Sequence, residues 1–256
     1  MPLPDAATVA SDHPMPHILF ISDLHLSPAT PAIMQQFQRF LDSDVPKQAE
    51  ALYILGDLFD AWIGDDDPSP FAAQVREMLH EAGSHTNLYF QHGNRDFLLG
   101  EDFARAANMT LLPEEQVIQV ADELVLLLHG DQLCTDDRDY QQARKLFRSP
   151  AFQAQAMAMS IPERIQKAAE IRQISGEAKA VKSSYIMDVN QKAVEAMMKK
   201  HAIRRLIHGH THRPGTHDFT LDGHAARRTV LANWNGQAST VLRVNTSTGE
   251  EQNLSL

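Results

Sequence analysis

Over its first hundred residues the chain alternates between short apolar runs and longer stretches with helical spacing. Residues 17–22 (HILFIS), 51–55 (ALYIL) and 87–91 (NLYFQ) are runs of strand-forming residues. Between them, residues 32–43 set Ile33, Phe37, Phe40 and Leu41 at helical intervals. Residues 71–83 place Phe71, Val75, Met78 and Leu79 on one face, with Gly83 as a stop. Residues 97–108 (FLLGEDFARAAN) read as a short helix. Strands that alternate with helices predict βαβ units and a largely parallel sheet. From residue 116 the pattern changes. QVIQVADELVLLLHG reads as a hairpin turning near Ala121–Asp122, and RRLIHG, HDFTL, RRTVLANW and STVLRVN are further short strands. A sheet that begins parallel and later gains hairpins predicts two packed sheets flanked by helices, an α/β fold.

One segment breaks the rhythm. Residues 136–200 are strand-poor and rich in Ala, Met, Gln and Lys, which predicts a helical insertion over one face. Its first part, 136–185, carries nine basic side chains (Arg138, Arg144, Lys145, Arg148, Arg164, Lys167, Arg172, Lys179, Lys182) against six acidic ones. The local balance is about +3, on a chain whose net charge is −10. That acidic balance argues against nucleic-acid binding through a basic surface. The single cysteine, Cys134, permits no intrachain disulfide and fits a reducing compartment. No apolar run approaches the ~20 residues a membrane span needs. Residues 1–16 lack a basic-then-apolar signal and read as a short disordered extension; 17–245 read as the domain and 246–256 as a C-terminal tail.

The 13 histidines stand out. Five clusters follow apolar strands: Asp23-Leu-His25, Gly56-Asp57-Leu-Phe-Asp60, Gly93-Asn94-Arg95-Asp96, His129-Gly-Asp131 and His208-Gly-His210-Thr-His212. Adjacent strand ends converge on ligands in open α/β sheets. Carboxylate, imidazole and amide oxygen suit Mn²⁺, Fe or Zn²⁺, and no thiolate is offered. One small cation cannot use so many donors and leave room for substrate; two sharing a carboxylate can. Asp57, in the middle cluster, is the natural bridge. In two-metal hydrolysis the ions sit ~3.5–4 Å apart, generate hydroxide and clamp the attacking and leaving oxygens. Taken singly, each cluster has a plainer reading as a turn or helix cap, and Asp60 and Asp96 read as caps or supports for a ligand.

The order D-x-H, G-D, G-N, H-G, H-G-H resembles the calcineurin-like metallophosphoesterases over roughly residues 17–245. The resemblance implies a four-layer α/β/β/α sandwich with a dinuclear site. One ion would be held by Asp23, His25, Asp57 and His210, the other by Asp57, Asn94, His129 and His208. SDLHLSP, LGDLFDAWIGDD, HGNRDFLLG, HGDQLCTDDRDYQ, SYIMDVN and HGHTHRP narrow it to members that cleave the pyrophosphate of UDP-2,3-diacylglucosamine, giving UMP and 2,3-diacylglucosamine 1-phosphate in lipid A synthesis. That resemblance implies Mn²⁺, a peripheral place on the cytoplasmic face of the inner membrane, no obligate protein partner, and substrate contacts at Asn94, Arg95, Asp137, Ser175, Lys179, Lys182 and His208. Tyr140 and Arg172 are further carry-overs. Asp57, Asn94, Arg95 and His208 would serve catalysis. Lys179 departs from the family, which has Asn there.

Arg95 carries an independent argument. Many relatives have a His after Gly-Asn that can protonate a leaving alkoxide. Arginine, with a pKa above ~12, cannot. An anhydride expels a phosphate, whose second pKa is ~6, so it needs charge stabilisation rather than a proton. The plainer alternative pairs Arg95 with Asp96. The basic residues of the insertion would meet the diphosphate and an anionic membrane, with Ala, Met and Ile around AQAMAMSIPERI lining an acyl groove. The competing readings are another calcineurin-like phosphoesterase acting on a nucleotide or phosphoprotein, and a scaffold that binds without catalysis.

Overall fold

The computed structural model describes the backbone of residues 15–181 and 188–256, and the side chains of all these except 174–181. In chain order, β1 (His17–Ile21), α1 (Pro31–Asp42), β2 (Ala51–Leu55), α3 (Pro70–Ala82) and β3 (Asn87–Gln91) fall where the apolar spacing puts them, with an unpredicted single turn α2 (Asp44–Lys47) between α1 and β2. Then come α4 (Glu101–Ala106), β4 (Met109–Leu112), and a hairpin of β5 (Gln116–Val120) and β6 (Glu123–Leu128). The insertion supplies α5 (Arg138–Phe147), α6 (Pro150–Met157), α7 (Ile161–Val181) and α8 (Gln191–Lys200). The chain finishes with β7 (Arg205–His208), β8 (Gly215–Leu221), β9 (His224–Val230), β10 (Thr240–Asn245) and β11 (Glu251–Ser255).

One sheet runs β11-β10-β1-β2-β3-β4, the other β5-β6-β7-β9-β8. β1 to β4 pair in parallel, as the βαβ pattern requires, and β6, β7 and β9 are the parallel centre of the second sheet. Alternation along each strand divides the core. On β1, Leu19 and Ile21 pack with Phe37, Phe40 and Val75 of the helices, while Ile18 and Phe20 face the second sheet with Val125, Leu127 and Ile207. On β6, Leu126 and Leu128 turn the other way, onto Val194 and Met198 of α8. Helices, sheet, sheet, helix: this is the four-layer sandwich.

Two expectations change, and one strand is new. α8 is not part of a lid: Val194 and Met198 are fully buried and close the outer layer of the sandwich, so the lid proper is α5–α7. Residues 246–256 are not a tail. β11 pairs antiparallel with β10 from Val244↔Glu251 to Thr240↔Ser255, because Glu251 is held by the buried Arg205. And β4, four residues long, extends the first sheet beside β3.

Candidate metal centre and substrate cavity

All five polar clusters meet at the C-terminal ends of the parallel strands of the two sheets. The local backbone is unusual there. Nine described non-glycine residues have φ in the left-handed region, and five of them are Asp23, His25, Asp57, His210 and His212. Each such residue costs roughly 1–2 kcal/mol. The other four, Asn108, Ala121, Ala202 and Asp222, occupy hairpin turns or the residues just past helices, where that conformation is ordinary. Close approach adds to the strain. A Cβ at Gly93 would collide with the Asp57 carboxylate, and one at Gly209 with Ser22 and Asp23. Asp96 braces the centre from behind, taking the amides of Leu58 and Gly93 at 2.7 Å each.

Asp57 stands between two imidazoles, with Oδ2 3.9 Å from His25 Nε2 and Oδ1 3.8 Å from His129 Nε2. The Nδ1–H of His129 donates to the Leu55 carbonyl at 2.8 Å, which leaves Nε2 as a lone-pair donor facing Asn94 Oδ1 at 3.2 Å. On the other side, His25 Nε2 and His212 Nε2 lie 3.2 Å apart, and His212 Nε2 is 3.3 Å from Asp23 Oδ1. Asp23, His25 and His212 form one group able to hold a cation, and Asp23, Asp57 and His129 another. His210 donates its backbone N–H to Asp23 Oδ2 at 2.8 Å, and its ring stands edge-on to His129 with centroids 5.0 Å apart.

The electrostatics ask for cations. Asp23 and Asp57 are buried, and among the described residues neither makes an ion pair with lysine or arginine. Burial, with Asp23 alongside, pushes the Asp57 carboxyl above its ordinary value. Burial also presses the His25 imidazole down to about 4, so it is neutral and free to donate a lone pair. His129 is different: burial presses it down, but Asp57, Asp23 and Asp131 hold it above its ordinary value, so positive charge is favoured where these carboxylates meet. Two buried carboxylates that draw positive charge, with imidazole and amide donors beside them, fit divalent cations of hard to borderline character.

His208 is the departure. It ends β7 with ordinary strand geometry and is fully buried. Its Nδ1 meets the Gly209 carbonyl at 2.8 Å, and its Nε2 accepts from the Arg228 guanidinium at 3.2 Å. Burial, then Arg228, presses it down to about 3. Both ring nitrogens have partners outside the two donor groups, so the structure does not bring His208, expected as metal ligand, catalytic group and substrate contact, into either group, although His129 and Asp23 lie close enough to act on its charge. His212, not singled out from the sequence, takes a place in the cluster instead. The other first donors fall one to three residues beyond a strand end, whereas His208 is still within β7.

A cavity of about 610 Å³ opens from this centre beneath the lid. Asn94, Arg95, His210 and His212 line it together with Phe97, Leu98, Phe147, Phe152, Met159 and Ile171. The Phe97 and Phe147 rings stack at 5.8 Å. Arg95 donates its backbone N–H to Asp57 Oδ1 at 2.9 Å, and its side-chain Nε is buried without a hydrogen bond. Asp96, committed to backbone amides, is not its partner. Asp137 caps α5 through Tyr140 N and lines the cavity; the Tyr140 hydroxyl donates to Asp131 at 2.8 Å, with its ring on His210. Ser175 and Lys179 lie on α7 by backbone position, their side chains outside the described set, and Lys182 lies outside the described residues. The insertion's cations are largely spoken for. Arg144 and Arg148 pair with Glu114 and Asp131, Arg164 with Asp66, and Arg172 with Asp60. The expected basic patch is therefore mostly internal ion pairing.

The model of the calcineurin-like phosphoesterase family matches residues 16–214, a span that contains every donor of this centre. The chain belongs to the calcineurin-like phosphoesterases. Among curated relatives, the UDP-2,3-diacylglucosamine hydrolase of Edwardsiella ictaluri is 49% identical over 225 residues, 87% of this chain and 86% of that protein. The proteins of that name from Escherichia coli O81 and Chromohalobacter salexigens are 50% and 48% identical over 224 and 217 residues. They cover 87% and 84% of this chain, and 93% and 88% of their own lengths. No described helix of this phosphoesterase is long and apolar enough to cross a membrane.

Proposed function

We propose that the protein hydrolyses the pyrophosphate bond of UDP-2,3-diacylglucosamine to UMP and 2,3-diacylglucosamine 1-phosphate, a step toward lipid A. The observation that carries the reading is a single cavity joining a phosphoesterase donor cluster to aromatic and aliphatic walls beneath a lid. A diphosphate with two acyl chains has that division of polarity. Relatives of that name at 48–50% identity support it.

Two divalent cations, Mn²⁺ on our reading of the oxygen and nitrogen donors, would be held by Asp23, His25, Asp57 and His212, and by Asp57, Asn94, His129 and His210. When bound, such a pair supplies Lewis acidity and charge neutralisation at a phosphoryl group. The chain's own residues do the rest. Water adds its oxygen to one phosphorus, the bridging P–O bond breaks, and the bridging oxygen departs with the other phosphate. Arg95, held at the cavity wall by its backbone bond to Asp57, binds that departing phosphate without giving up a proton. Asn94 and Asp137 line the cavity as further substrate contacts, and the family resemblance adds Ser175, Lys179 and Lys182 to them. The lid excludes water from the acyl chains. Its exposed Leu146, Met157 and Ile165 suit peripheral contact with the cytoplasmic face of the inner membrane, from which the substrate is drawn.

Purified protein with Mn²⁺ and UDP-2,3-diacylglucosamine is expected to release UMP. Cleavage of a nucleotide or phosphoprotein with no UMP from this substrate would move the assignment to another member of the family.

A further inference from the structure

The motif LGDLFDAWIGDD runs past the metal centre, and its last residues touch no cation donor. Asp65 ties this loop to the sandwich. Its Oδ1 accepts from the Trp62 indole at 3.1 Å and from Gly100 N at 2.9 Å, and its Oδ2 accepts from Phe103 N at 2.9 Å at the start of α4. Asp66 ties the same loop to the lid. Both its oxygens accept from the Arg164 guanidinium, at 2.6 and 2.5 Å, and Arg164 Nη1 also donates to the Ile63 carbonyl at 2.7 Å. The Arg164 side chain is 4% exposed, in the first turns of α7. Gly64 makes room for it. Gly64 has φ +132°, and a Cβ there would collide with the guanidinium and with the Met157 methyl. A buried arginine held bidentate over a glycine backbone has a more fixed geometry than a pair of two exposed side chains, although Asp66 itself is half-exposed. Arg164 lines the cavity beside Trp62, Ile63, Met159, Lys167 and Ile171.

We propose that residues 62–66 are a bracket that seats α7, with the Arg164–Asp66 pair as the positioning contact that fixes the acyl-receiving wall of the cavity. The inference rests on the proposed substrate. The bracket ties one end of the lid to α4 through Asp65 and to α7 through Asp66. Releasing Arg164 frees the inner end of α7, and the wall that long chains press against is lost. Short chains do not reach that wall and depend on it less.

The test compares kcat/KM for long-chain and short-chain UDP-2,3-diacylglucosamine in Asp66→Asn, Arg164→Met and the double variant. Asp66 is half-exposed, so Asp66→Asn preserves the fold even where Arg164→Met does not. The long-over-short preference is expected to fall about tenfold in each single variant, with the double no worse than the worse single, as for two groups that act as one unit. An unchanged preference, an equal loss on both substrates, or losses that multiply in the double variant would overturn the bracket. Wild-type protein that cleaves neither substrate would overturn the proposed function and the bracket together; a clear wild-type preference that every variant keeps would overturn the bracket alone.

Discussion

Arg95 and the three histidines of His208-Gly-His210-Thr-His212 decide the chemistry residue by residue. A guanidinium keeps its protons at neutral pH, so Arg95 contributes by holding charge on a leaving phosphate. Arg95→Ala is expected to slow single-turnover cleavage by ~10²–10³, the usual cost of one such donor, and to leave bound metal unchanged. Metal content that fell with the rate would make Arg95 a support for Asp57 instead, through the backbone bond at 2.9 Å. His208 and His212 differ in what their ring nitrogens face. His212 Nε2 points at His25 and Asp23, whereas His208 is occupied by Gly209 and Arg228. His212→Ala should therefore lower the bound Mn²⁺ measured after dialysis, with the thermal midpoint nearly kept. His208→Asn should do the reverse, retaining metal and losing roughly 1–3 kcal/mol through Arg228, left buried without its acceptor. Equal metal loss in both variants would return His208 to the site.

At the level of elements, much was legible because the strands obey simple rules. Both faces of β1 and β2 are covered, so they read as continuous apolar runs, and the polar clusters just beyond them marked the site. The elements that escaped were short or were decided by tertiary pairing. β4 (MTLL) is apolar but only four residues long, and β11 (EQNLS) has no apolar alternation to mark it. The frame of the histidine motif depended on where β7 stops, and strand ends are the least certain feature of a sequence. Charge misled in the insertion, since composition does not say that Arg144, Arg148 and Arg164 turn inward. β11 holds its place through a buried pair. Arg205 gives its Nε and Nη2 to Glu251 at 3.0 and 2.7 Å, and Thr229 donates to the other Glu251 oxygen at 2.8 Å. Glu251→Ala strands a buried guanidinium, which costs roughly 3 kcal/mol. Urea unfolding should show that loss in the midpoint, with metal affinity in the folded protein unaltered. A loss below the ordinary surface value would mean that the Gly249 carbonyl at 2.6 Å and Glu123 at 3.4 Å suffice to hold Arg205.

Over the whole molecule, charge and apolar surface pull in opposite directions. The chain carries a net −10, which repels an anionic bilayer, and the insertion's arginines are drawn into ion pairs with Glu114, Asp131, Asp66 and Asp60. An electrostatic mode of membrane binding therefore has few free cations behind it among the described residues. Apolar contact has better support. Leu146, Met157 and Ile165 are 56%, 42% and 53% exposed on three successive lid helices, each carrying ~1.5–3 kcal/mol if fully buried. The lid also roofs the cavity, so its outer surface is where a substrate with two acyl chains would leave the bilayer. Co-sedimentation with vesicles of mixed zwitterionic and anionic lipid is then expected to persist as salt rises, because screening acts on charge and not on apolar burial. The triple variant Leu146→Ser, Met157→Ser, Ile165→Ser should lose most of that binding while still cleaving substrate presented in detergent. Binding that vanishes at high salt and survives the triple variant would assign the contact to charge, with Arg138, Lys145 and the lysines of residues 179–182 as the remaining candidates.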